Sequence, residues 1–149
     1  MGKIKKIMVA VDFSAYSPKV VDFAGRMAEG LNAEMVLANV INQRDINIVR
    51  RVTGYVDDIS VKVYVENLKQ ERTSRMDKIL QQTGCENLPH RLVFKVGIPF
   101  EGLIHQVKEE QVDMVIMGAK GRSNLAGVLF GSTAEKMFRL CPVPLISIR

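Results

Sequence analysis

The chain has 149 residues, 47% hydrophobic and 25% charged, with a formal net charge of +5. That length suits one domain, residues 1–149, with a single core, and no apolar run approaches the ~20 residues that span a bilayer. Two cysteines, Cys85 and Cys141, and two histidines, His90 and His105, are too few and too scattered for a disulfide framework or a metal knuckle.

Ile4 to Val11 reads as the first strand, a near-continuous apolar run of the kind that is covered on both faces of a parallel sheet. Asp12 ends it, at the edge where open α/β sheets bind ligands, and its plainer role is to cap the following turn. Ser17-Pro18 opens the first helix, with serine at the N-cap and proline at the first helical position. Val20, Ala24, Met27, Ala28 and Leu31 mark its apolar face. Ala33 to Val40 forms the second strand. Ile41 to Gly54 is polar and without firm period, and is expected to be a loop or at most a short helix, as a lid or partner surface.

A long helical pattern runs from about Val56 to Thr83, with Gly84 suited to end it. Arg72 interrupts its apolar stripe, so the two halves face different neighbours or the amino-terminal half projects. Leu92 to Val96 is the third strand, and Pro99 opens a helix whose Leu103, Ile104 and Val107 face the core. Gly97-Ile-Pro-Phe-Glu-Gly102 imitates half a P-loop, but Leu103-Ile104 stands where lysine and a hydroxyl are required. Met114 to Met117 is the fourth strand. After the last helix, Pro142-Val-Pro144 gives way to Leu145-Ile-Ser-Ile148, the fifth strand. Cys141 reads as a small core residue and His105 as a solvent-facing or hydrogen-bonded one.

Between the fourth strand and the last helix the spacing is Gly118-x2-Gly121-x9-Gly131-Ser132, with Thr133 following. Ala134, Met137, Phe138 and Cys141 then recur at helical intervals. Glycines let backbone N–H groups approach a ligand closely, and a helix start offers unpaired donors and partial positive charge. Ser132 and Thr133 add hydroxyls, while Lys120 and Arg122 add positive charge. A strand, a glycine loop and a helix start suit phosphate; the plainer alternative is an ordinary turn and N-cap.

This stretch resembles the ATP-binding branch of the universal stress protein family, whose signature is G-x2-G-x9-G-[S/T]. The likeness extends from Ile4 to Ile148, including the closing Cys141-Pro-Val-Pro144-Leu-Ile-Ser-Ile run. It implies ATP as ligand, with Mg²⁺ or Mn²⁺ as a further candidate. It implies that Asp12 contacts ribose or base and that the backbone of Val40 holds adenine. Gly118, Lys120, Gly121, Arg122, Gly131, Ser132 and Thr133 are then the phosphate end. It also implies a homodimer paired through Leu145, Ile146, Ser147 and Ile148.

Alternation of strand and helix predicts a doubly wound, open, parallel five-stranded α/β sheet in the order 3-2-1-4-5, helices on both faces. The expected class is Rossmann-like, of the adenine nucleotide alpha hydrolase-like kind. That order brings Asp12 and Gly118 together although they are far apart in sequence. With Asp12 as the acidic residue placed in the crevice, and no Walker-type metal arrangement, no catalytic residue is assigned and binding is favoured over turnover. The expectation is a cytoplasmic, nucleotide-dependent regulatory or stress-protection protein. A slow ATP hydrolase or adenylyl-transferring enzyme, and a nucleotide-free chaperone-like module, stand as alternatives. Scattered basic residues and 6% aromatics argue against nucleic acid, and nothing suggests a membrane.

Overall fold

The computed structural model of the protein describes residues 2–54, 57–120 and 131–149. Strands β1 (Lys6–Ala10), β2 (Glu34–Asn42), β3 (His90–Gly97), β4 (Met114–Gly118) and β5 (Leu145–Ile148) form one parallel five-stranded sheet in the order β3-β2-β1-β4-β5. The side chains alternate across it, as the pleat requires. Ile7, Val9, Met35 and Leu37 pack beneath α1 (Ser17–Leu31) and the carboxyl half of α3 (Asp58–Thr83). Met8, Val36, Val115 and Met117 pack against α4 (Pro99–Glu109) and α5 (Ser132–Leu140) on the other face. Burial on both sides explains why the central strands are apolar without interruption.

Register at the amino edge is fixed by Asp113, whose carboxylate accepts from the amides of Lys5 (2.8 Å) and Lys6 (3.0 Å). Those amide bonds hold its carboxyl below the usual aspartate range. At the opposite edge, β1 feeds α1 and β2 on one side while β4 lies on the other. This is a topological switch point, and it opens a crevice at the carboxyl ends.

Several boundaries differ from the sequence expectation. β2 runs on to Asn42, so Val40 lies two residues short of its end. Of the two forms expected for residues 41–54, a loop or at most a short helix, the structure has the helix, with the 11 residues of α2 at Gln43–Thr53. The Asn42 side chain caps it by accepting from the Arg44 amide (3.0 Å), and Gly54 ends it at φ 72°, where glycine carries no Cβ penalty. Helix α1 begins at Ser17 itself, with Tyr16 at the cap, because the Ser17 hydroxyl is turned to Asp12 instead. In α5, Ala134 and Met137 are buried but Phe138 is 57% exposed. Cys141 is half-buried against the α4–α5 side of the sheet, and burial pushes its thiol up.

Candidate functional site

A cavity of about 330 Å³ occupies the crevice. Asp12, Val40, Gly118, Lys120, Gly131, Ser132 and Thr133, the predicted site residues within the described segments, all line it. Gly121 and Arg122 lie outside the described residues.

Asp12 stands just past β1. Its Oδ1 accepts from the Ser14 amide (2.9 Å) and the Ser17 hydroxyl (3.1 Å), so it caps the turn and faces the cavity at once. Phe13, next to it, takes φ 62°, a left-handed conformation uncommon for a bulky residue, and Arg75 of α3 lies 4.4 Å from its ring centroid.

Val40 contributes backbone. The Val11 amide donates to the Ala38 carbonyl (2.9 Å), and Ala10↔Ala38 is the last β1–β2 pair. Backbone groups alternate sides along a strand, so Val40, two residues on, directs its amide and carbonyl to the side that β1 has left. This is an edge on which a planar heterocycle can pair. The Val40 side chain packs on Gly102 of α4, where an added Cβ would fall 2.8 and 3.0 Å from its two methyl carbons. Gly102→Ala is therefore expected to destabilise the fold by about 1–3 kcal/mol, and Val40→Ala in the same chain to recover part of the loss. Thermal denaturation of both singles and the double checks the coupling.

At the other end, Gly118 closes β4, and Gly131 caps α5 at φ −71° and ψ 165°. Neither is among the glycines with positive φ. At Gly118 what counts is room. A Cβ on Gly118 would sit 3.2 Å from the Lys120 carbonyl oxygen. The Gly131 amide is already committed to the Ala119 carbonyl (2.8 Å), which ties the neck of the glycine loop. Among the described residues, the first turn of α5, from Ser132 and Thr133 onward, leaves backbone donors for an anion.

Sequence reasoning missed part of the wall. Asp45, in the first turn of α2, is a second carboxylate on the wall of the cavity that Asp12 lines, so the crevice holds more acid than expected. Asn39 and Arg72 also line it, and both are buried, at 3% and 7% exposure. The Arg72 guanidinium donates to Asn39 Oδ1 (2.7 Å), and Asn39 Nδ2 donates to the Val11 carbonyl (2.7 Å). The break in the α3 stripe at Arg72 was the available signal. His105, by contrast, lies on the exposed flank of α4 with Lys95 and Glu109, away from this cavity.

The sequence and the fold both have counterparts. A universal stress protein from Methanocaldococcus jannaschii, MJ0577, is 26% identical over 97% of this chain and 94% of its own. Its solved structure superposes with a TM-score of 0.75 over 99% of this chain and 96% of that one, at 24% identity. UspA from Lactobacillus plantarum matches with a TM-score of 0.78 over the whole of both chains, at 19% identity. A universal stress protein from Archaeoglobus fulgidus, solved in complex with dAMP, matches with a TM-score of 0.62 over 99% of this chain and 100% of that one, at 17% identity. The sequence profile described as "Universal stress protein family" fits residues 3–149, from before β1 to the end of β5, and the chain belongs to that family.

Proposed function

We propose that the chain binds an adenine nucleotide, ATP foremost, and serves as a nucleotide-dependent regulatory or stress-protection protein. The observation that carries this is the single cavity that joins Asp12 and the vacated backbone edge of Val40 to Gly118, Lys120 and the α5 amino terminus. In this reading adenine pairs with the Val40 backbone and ribose or base meets Asp12. The phosphates lie on Gly118, Lys120, Gly131, Ser132 and Thr133, with Gly121 and Arg122 contributed by the loop between. The cavity volume is within the range of small-molecule sites. A family member of the same fold is solved in complex with dAMP, which supports the adenine assignment.

ATP acts here as an occupancy signal; Mg²⁺ or Mn²⁺, when bound with it, would offset phosphate charge, and Asp12 and Asp45 are the carboxylates on the cavity wall that could help to hold it. A second carboxylate, Asp45, on the wall of the cavity that Asp12 lines favours one second reading, slow hydrolysis, which needs carboxylates within reach of the phosphates. The proposal also includes a homodimer paired through the outer edge of β5, Leu145 to Ile148, since an exposed apolar edge invites a second strand. A cytoplasmic location, without nucleic-acid or membrane partners, completes it. No helix among the described residues is long and apolar enough to cross a membrane.

The decisive measurement is mass spectrometry of small molecules released from freshly purified protein, paired with ATP calorimetry. An adenine nucleotide is expected in both. A chain that neither carries nor binds one would refute the assignment. ATP turnover with Mg²⁺ or Mn²⁺, lost in Asp12→Ala or Asp45→Ala, would instead select the hydrolase.

A further inference from the structure

The crevice does not end at the α5 amino terminus. A second hollow of about 810 Å³ opens beyond it, between α2, the start of α4 and the first turn of α5. Asn42, Pro99, Ser132 and Thr133 line both hollows, so the two are confluent across the helix end. Helix α2 turns Arg44, Asn47, Ile48 and Arg51 toward the second one, positions that fall on one helical face. Lys136 reaches it from α5, its ammonium 4.7 Å from the Phe100 ring centroid. Among the described residues the lining therefore holds three cations and no carboxylate. Ile48 and Ile98, each 49% exposed, give it an apolar floor beside Phe100.

We propose that this hollow receives the distal half of a dinucleoside polyphosphate whose proximal nucleoside fills the first cavity. The inference rests on the adenine-nucleotide reading above and extends it. A phosphate chain that leaves the first cavity over Ser132 and Thr133 enters the field of Arg44, Arg51 and Lys136. Each further phosphate adds charge where the wall is uniformly positive. A bare polyphosphate would use those cations alone. The apolar floor and the aromatic ring favour a flat base at the far end, where stacking and desolvation add to charge pairing.

The test is calorimetry with three probes: ATP, adenosine tetraphosphate and diadenosine tetraphosphate. Each is titrated into the full chain and into the Arg44→Gln/Arg51→Gln double variant, since glutamine keeps the helix propensity of arginine. Wild type is expected to bind the dinucleotide about tenfold more tightly than ATP, the factor that the phosphate placed among the three cations and the base seated at the far end supply together, and more tightly than adenosine tetraphosphate, which lacks that base. The double variant is expected to lose that advantage while ATP affinity is unchanged, and raising the salt is expected to narrow the gap in wild type alone. Equal affinity for ATP and the dinucleotide in wild type, or an advantage that survives in the variant, overturns the proposal and leaves ATP binding standing. Adenosine tetraphosphate matching the dinucleotide overturns the second-nucleoside assignment. Failure of ATP itself to bind overturns the adenine-nucleotide reading first.

Discussion

Gly131→Val is expected to lower ATP affinity about a hundredfold or more while the fold survives. Gly131 lies in the cavity wall at φ −71° and ψ 165°, backbone that any residue adopts, so valine meets no dihedral strain. Its amide is tied to Ala119 (2.8 Å) and its carbonyl accepts from the Glu135 amide (3.0 Å), and neither bond depends on the side chain. What changes is space. A branched side chain at the cap stands between an incoming phosphate and the first-turn amides of α5. Two charge-assisted hydrogen bonds lost at about 1.5–3 kcal/mol each amount to a hundredfold or more. The stability cost is smaller, about 1 kcal/mol for a poor cap, or ~3 °C in Tm. Gly131→Ser separates the two effects, because serine caps well yet still carries a Cβ. Calorimetry and thermal melting on both variants give the answer. A valine variant that binds ATP like wild type would remove phosphate from this helix end.

Much of the fold was legible because burial leaves a record in composition. The runs around Ile7–Val11, Met35–Ala38 and Met114–Met117 are apolar throughout, as strands covered on both faces must be. From alternating elements and right-handed crossovers the strand order followed, and with it the meeting of Asp12 and Gly118. Helix α2 was legible only as one of two alternatives, for the same reason inverted. Ile46 is its buried residue, so no apolar stripe betrays it, and only the Asn42 cap and Gly54 mark its ends. Without its bounds, Asp45 and the Arg44–Arg51 face could not be placed from the sequence. Ser17 looked like an ordinary N-cap, but a tertiary acceptor, Asp12, outcompeted the local helix amides. Phe138 shares helical spacing with Met137 but falls just outside the narrow face that α5 buries. Glycine spacing suggested a floor of amides, and spacing cannot report that Gly131 spends its own on Ala119.

Arg72 was visible only as an interruption, and it is where the second large effect is expected. Arg72→Met should lower stability by about 3 kcal/mol, or ~9 °C in Tm, and also weaken ATP binding. The guanidinium is 7% exposed and bonds Asn39 Oδ1 (2.7 Å), whose amide in turn holds the Val11 carbonyl (2.7 Å). One residue later the chain reaches Asp12, then Phe13 under Arg75. Helix α3 thus grips the turn that presents the cavity's carboxylate. Removing one member leaves a buried amide oxygen without this partner, which costs far more than the bond itself contributes. Arg72→Lys is expected to recover little, since a shorter point charge cannot reproduce the planar fork. The informative construction is Arg72→Met with Asn39→Leu. Removing both polar side chains spares the Asn39 oxygen its lost partner but takes the Asn39 amide from the Val11 carbonyl, so Tm should return only in part. Nucleotide affinity should not, because the Val11–Asp12 turn would still lack its tether. Recovery of both together would mean that the pair serves the core alone and leaves the carboxylate's position untouched.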